Sequence, residues 1–239
     1  MKRMPLHAAA LVLLAVTSAS EAAADDGPGP FRVTATAAVS AETARVGALF
    51  AGKDHFCTAS VVHSPGHDLV VTAAHCLDGD TGALEFVPGY RNGAAPYGRW
   101  RLTRRFLPDA WDEDSDVAFA TVAERHGENV EDLVGGNRFR TGTATGATAV
   151  TVTGYPGSRG TPLRCVDKPV AHSRTQQRVD CPDFSGGTSG SPWVNGDGDV
   201  VGVLGGHEQG GATADVSYSV VLGRAAAQLY RDAARSPSA

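Results

Sequence analysis

From Val46 onward the chain alternates short apolar runs with clusters of turn-forming residues. The runs cover residues 46–50, 58–62, 69–73, 117–122, 149–153 and 200–204, and Gly, Pro, Asn and Asp punctuate the stretches between them. Segments this short, rich in valine and closed off by turn residues, predict antiparallel strands rather than helices. The 29 glycines fit the tight turns that such a chain needs. Two stretches break the pattern. Residues 131–147 combine charge with Gly135-Gly136-Asn137 and Gly142-Thr143-Ala144-Thr145-Gly146, and read as a crossover between strand-rich halves at 46–130 and 148–239. Near the end, Val221, Leu222, Ala225, Leu229 and Tyr230 fall close to helical spacing with Arg224 and Arg231 outside, which predicts a C-terminal helix packed on the second half.

The start of the chain has a different character. Lys2 and Arg3, the apolar stretch 8–16 and Ala22-Ala23-Ala24 read as a secretory signal peptide over residues 1–24, with an apolar core far shorter than the roughly twenty residues of a membrane span. Residues 25–45 open with Asp25-Asp26-Gly27-Pro28-Gly29-Pro30 and show no sustained period, so they are expected to be a flexible lead or pro-segment. The formal charge of −5 becomes −6 once Lys2, Arg3 and Glu21 are lost with the signal. That mild acidity leaves no basic footprint, so nucleic acid is not an expected partner, and no later segment approaches a membrane span. An exported, secreted chain with four cysteines is expected to hold two disulfides, in any of three connectivities. No Cys-x-x-Cys spacing favours zinc instead.

Three short motifs bring chemistry. His75 lies in Thr72-Ala73-Ala74-His75-Cys76, Asp116 begins Asp116-Val117-Ala118, and Ser189 lies in Gly187-Thr188-Ser189-Gly190-Ser191-Pro192. A serine hydroxyl is a weak nucleophile until an imidazole takes its proton and a carboxylate holds that imidazole in one tautomer. Within the acidic run Asp112-Glu113-Asp114-Ser115-Asp116, Asp116 is the candidate because the apolar strand after it carries it inward; Asp114 is the alternative. Glycines around Ser189 let backbone amides approach a substrate carbonyl, so the N–H groups of Gly187 and Ser189 are the expected oxyanion hole. An esterase elbow would read Gly-x-Ser-x-Gly with the serine first in chain order, and both features are absent. His63 and His67 flank Pro65-Gly66, which breaks any helix that would aim them together, so they are expected to be loop residues and no metal or cofactor is called for.

Together with Val46-Gly47-Ala48-Leu49-Phe50, His55-Phe56-Cys57-Thr58-Ala59-Ser60, Val152-Thr153-Gly154-Tyr155-Pro156 and Val200-Val201-Gly202-Val203, these motifs resemble the chymotrypsin-like (trypsin-fold) serine peptidases, in particular the compact bacterial branch that includes the glutamyl endopeptidases. The resemblance implies an all-β fold of two packed six-stranded antiparallel barrels, a monomeric serine endopeptidase acting on protein or peptide substrates, and disulfides Cys57–Cys76 and Cys165–Cys181. It also implies a primary specificity pocket with Asp183, six places before Ser189, at its base, which would select Arg or Lys; an acid capping a turn is the competing reading. Gly205 and Gly206 would pair with an extended substrate. Leu204 occupies the place where glutamyl endopeptidases carry a histidine, and His207 nearby reads as a loop residue. Thr188 carries no charge for an activating ion pair with a new N-terminus, and Arg45-Val46 is too close to Cys57 to provide one. A noncatalytic binding module built on the same fold, or a peptidase of acidic or apolar preference, is the alternative.

Overall fold

The computed structural model describes residues 30–79 and 82–236. The expected signal, residues 1–24, lies outside the described residues. The lead is structured where it is described: Thr34–Thr36 forms strand β1, which pairs antiparallel with a strand more than a hundred residues later. Ser40 then caps a single helical turn, α1 (Ala41–Ala44), accepting from the Thr43 N–H while the Thr43 hydroxyl accepts from its own N–H.

Six strands follow: β2 (Val46–Ala51), β3 (Asp54–Val61), β4 (Leu69–Thr72), β5 (Leu84–Pro88), β6 (Trp100–Phe106) and β7 (Ala118–Val122). They close into a barrel in the order β2-β3-β4-β7-β6-β5, all neighbours antiparallel. Register shifts at Leu49/Phe50 and between Leu102 and Arg104 supply the bends that closure needs. Leu49, Val61, Phe86, Trp100 and Ala120 fill the interior.

After a short helix, α2 (Val130–Val134), come β8 (Arg138–Phe139), β9 (Val150–Gly154), β10 (Leu163–Asp167), β11 (Val170–Ala171), β12 (Gln176–Asp180), β13 (Pro192–Asn195), β14 (Asp199–Val203) and β15 (Val216–Val220), and then helix α3 (Arg224–Ala234). Here the pairing differs from a second closed ring. A six-stranded sheet, β1-β10-β9-β13-β14-β8, and a three-stranded sheet, β11-β12-β15, meet at the isolated bridge Leu204–Ser219. The reason lies at the edges: β1 from the lead takes one edge of the large sheet, and β8 from the crossover takes the other in parallel with β14. Asp199, with no exposed surface, secures that last pairing by accepting from Arg138 Nε at 2.6 Å and from Arg140 Nε. One core including Val152, Leu163, Val179, Phe184, Trp193 and Leu204 still spans both sheets.

The C-terminal helix forms as expected and packs on the second half, but on the first barrel as well. Ala226, Leu229, Tyr230 and Ala233 meet Val62, Leu69 and Phe119 of the first barrel as well as Val200 and Val220 of the second half, so α3 fills the seam between the halves. The cysteines pair as Cys57–Cys76 and Cys165–Cys181, with Cα atoms 6.2 and 5.9 Å apart.

Candidate active site

Strand β4 delivers the chain to a 3-10 turn, Ala74–Cys76, whose last residue is bridged to Cys57 on β3. His75 is thus held by a strand before it and a disulfide after it. Asp116 sits two residues before β7, the neighbour of β4 in the barrel, and has no exposed surface. Its Oδ2 lies 2.7 Å from His75 Nδ1 and accepts the Gly206 N–H at 2.7 Å, while Oδ1 accepts the His75 N–H at 3.0 Å. Burial pushes the Asp116 carboxyl up; the hydrogen bonds from His75 and Gly206 outweigh it and leave the group below the ordinary carboxylate range. Gly205 makes room for this arrangement, since a Cβ there would stand 2.7 Å from Asp116 Oδ2. Asp114 is exposed and is occupied instead by the Thr175 hydroxyl at 2.7 Å.

An accepted Nδ1–H leaves His75 Nε2 as the basic nitrogen, and no protein atom among the described residues hydrogen bonds to it. The Ser189 hydroxyl donates to the Gln209 carbonyl at 3.4 Å, not to His75. Catalytic hydrogen bonds in ligand-free proteins are often long or poorly aligned. Ser189 is nonetheless pinned next to β3, because its carbonyl accepts the Thr58 N–H at 2.7 Å. The neighbouring serines differ: Ser185 is exposed, and Ser191 is fully buried with its hydroxyl given to the Thr188 carbonyl at 2.6 Å.

The backbone of this turn is fixed from two sides. The Gly186 carbonyl accepts from Gly157 N–H at 2.7 Å, and the Gly187 carbonyl accepts from the Thr58 hydroxyl at 3.1 Å. In a trans peptide the N–H points opposite to the carbonyl, so the Gly187 amide faces away from Gly157. Gly187 has φ +100° and a Cβ would fall 2.4 Å from Gly157 N, two constraints that exclude any side chain. Among the described residues neither the Gly187 nor the Ser189 N–H donates to a protein acceptor. Thr58, which carries no sequence signal beyond its place in an apolar strand, is the residue missed on this side of the site.

Beside Ser189 lies a cavity of about 230 Å³ walled by Phe184, Leu204, Gly210, Ala212, Thr213 and Ala214. None of its lining residues is charged. Asp183, expected at its base, does not line it: the residue adopts φ +67°, is exposed, and leaves the wall to Phe184, whose N–H is fixed by the Ala214 carbonyl at 2.9 Å. Gly206 is also corrected, since its N–H serves Asp116 and its carbonyl accepts from Gln209 N–H at 2.8 Å. Gly205 donates to the Tyr218 carbonyl at 2.9 Å, which leaves only its own carbonyl to meet a substrate strand. His207 packs against His172 and edge-on against Tyr218 of β15, ring centroids 4.7 and 4.9 Å away, and does not line the cavity. His63 and His67, expected to be separate loop residues, are brought together, with ring centroids 6.1 Å apart.

Residues 57–203 match the model of the trypsin-like peptidase domain family. A glutamyl endopeptidase from Bacillus licheniformis is 32% identical over 136 residues, which is 53% of this chain and 42% of the relative, so the match spans less than half of that protein's length. Among solved structures, the protease Anisep from Arthrobacter nicotinovorans superposes with a TM-score of 0.75 at 26% identity, covering 85% of this chain and all of the other. A thermostable serine protease from an extremophilic microorganism gives 0.72 at 26% identity over 83% of this chain and 100% of its own. A Glu endopeptidase gives 0.70 over 87% of this chain and 99% of its own at 17% identity, a likeness of fold alone.

Proposed function

The chain belongs to the trypsin-like peptidase domain family, and from that premise we propose that it is a secreted serine endopeptidase acting through Ser189, His75 and Asp116. The observation that carries this reading is the solvent-free Asp116 carboxylate, whose acceptor positions are directed at the backbone and ring of His75 and at Gly206. That arrangement fixes the Nδ1–H tautomer, so Nε2 takes the proton from Ser189 Oγ as Oγ attacks the peptide carbonyl. Rotation of the Ser189 side chain away from the Gln209 carbonyl precedes that step. The developing oxyanion meets the Gly187 and Ser189 amides, His75 returns the proton to the leaving amine, and water releases the acyl-enzyme by the same route in reverse. Each amide donor is worth about 2.7–4 kcal/mol of transition-state stabilisation.

The cavity favours a second refinement. With Asp183 outside it and Leu204 in its wall, neither a carboxylate for Arg or Lys nor an imidazole for Glu lines the space, so the preferred side chain before the scissile bond is uncharged. Two disulfides suit an oxidising compartment and support export. A serine-directed phosphonylating reagent is expected to label Ser189 stoichiometrically, and Ser189→Ala to lose hydrolysis of a peptide library whose wild-type cleavages follow neutral residues. An unlabelled Ser189, or hydrolysis undiminished in the alanine variant, favours the noncatalytic module. Cleavage that follows Arg, Lys or Glu overturns the refinement alone.

A further inference from the structure

The turn between β3 and β4 carries two histidines, and α2 beside it carries two acids. Pro65 and Gly66 do exclude a helix here, but the turn they form has the same effect on the rings: His67 N–H donates to the Ser64 carbonyl at 3.1 Å and His67 adopts φ +54°, which folds its side chain back beside His63. The α2 segment is docked from below by the Glu131 N–H, which donates to the His67 carbonyl at 3.0 Å. Glu131 is largely enclosed, its side chain 12% exposed, with Oε2 accepting the Ser64 N–H at 3.1 Å and Oε1 2.6 Å from His63 Nδ1. The missing side chain of Gly136 leaves space for that carboxylate, since a Cβ would fall 2.8 Å from Oε1. One ligand atom from each of His63, His67 and Glu131 lies within 4.8 Å of the other two.

We propose that His63, His67 and Glu131 bind a divalent ion of the zinc class, with Asp132 as the carboxylate that orients His67. Two imidazoles and one carboxylate form the mixed nitrogen and oxygen donor set that suits zinc, whereas calcium and magnesium take oxygen donors. Asp132 Oδ1 lies 2.5 Å from His67 Nδ1, and a carboxylate in that position commits the other ring nitrogen to the metal. Glu131 and Asp132 also match the two charges of the ion. Contraction to metal–nitrogen bonds of about 2.0–2.1 Å falls to the imidazoles, which are 59% and 43% exposed, with the ion taking the place of the hydrogen bond between His63 Nδ1 and Glu131 Oε1, while Glu131 stays as the fixed point. A water molecule completes the coordination.

The consequence is structural. The bound ion clasps the β3–β4 turn to α2 at the start of the crossover, next to the point where Tyr230 of α3 donates to the His63 carbonyl at 2.6 Å. His75 follows the other end of β4, so the ion is remote from peptide hydrolysis and the proposal does not depend on the catalytic reading. The test uses tag-free protein stripped by a chelator and titrated with ZnCl2 by calorimetry, with CoCl2 as an optical probe and CaCl2 as the comparison. One saturable Zn²⁺ equivalent, a visible Co²⁺ band and a Tm rise on the order of 5–10 °C at a hundredfold excess over Kd are expected. Glu131→Gln should abolish all three; so should His67→Asn, which removes the imidazole but tolerates the positive φ. Absence of saturable Zn²⁺ binding, equal binding by the variants, or saturation by Ca²⁺ in place of Zn²⁺ overturns the proposal.

Discussion

A carboxylate with no exposed surface stays ionised only where donors replace the water it has lost, and Asp116 has three of them. Asp116→Asn keeps the size of the side chain but presents an amide to one of those donors, which frees the imidazole to take the wrong tautomer. Turnover should then fall by about 10⁴-fold while the fold persists, measured as kcat on a neutral peptide. The stability effect has a definite sign. A depressed folded pKa means that the ionised group stabilises the protein above its unfolded value, about 3.9, and that the contribution disappears as pH falls through the folded value. Melts of the two proteins should therefore differ at pH 7 and converge in acid; a gap that persists undiminished at pH 2 contradicts the assignment. The burial of Asp116 beside His75 was legible because an apolar strand follows it at once. Of the two readings of Asp183, the pocket base fails because counting back from Ser189 fixes its distance along the chain but not the φ of +67° that turns it outward.

Strands announce themselves where valines alternate with turn residues, which is why β2, β3, β4 and β7 of the first barrel stand where the apolar runs lie, whereas β5 and β6 fall outside those runs. The shortest elements escape such reading. β8 has two residues and exists through Asp199, which gathers Arg138 and Arg140, and β1 exists through its partner β10; neither dependence leaves a local pattern. The same long-range pairing divides the second half into two sheets. The disulfides offer a comparison at this scale. Cys57–Cys76 and Cys165–Cys181 close loops of similar separation, 19 and 16 residues, so chain entropy assigns each about 3 kcal/mol. Removing either pair as a double alanine variant should lower stability to a similar extent, while kinetics separate them. Loss of Cys57–Cys76 loosens the turn holding His75 and should depress kcat; loss of Cys165–Cys181 loosens the approach to Phe184 and should chiefly raise KM. Equal kinetic effects would show that neither bridge positions its neighbour.

The two halves bring their parts to one place only if something couples them, and Thr58 on β3 does so with every polar atom it has. Its N–H reaches the Ser189 carbonyl, its hydroxyl donates to the Gly187 carbonyl at 3.1 Å and accepts the Tyr155 N–H at 2.9 Å, and its carbonyl accepts from Thr72 at 2.7 Å. A threonine inside an apolar strand gives no hint of this, because the partners come from β4 and from two separate segments of the second half. The first barrel therefore holds the Gly187–Thr188 peptide and the Ser189 carbonyl, while the Gly187 N–H, which shares a peptide plane with the Gly186 carbonyl, is directed by the bond from Gly157. Thr58→Val preserves shape and strands one buried donor and one buried acceptor, at about 1–3 kcal/mol each. Stability should fall accordingly. The released Gly187–Thr188 peptide should also let the turn shift and carry the adjoining Gly187 N–H with it, lowering kcat by up to about 10²-fold with a smaller change in KM, since that donor acts in the transition state. Thr58→Ser, which restores the hydroxyl without the methyl, should recover kcat. A valine variant that loses stability but keeps native kcat would reduce Thr58 to a packing residue and leave the placement of the whole turn to the second half alone.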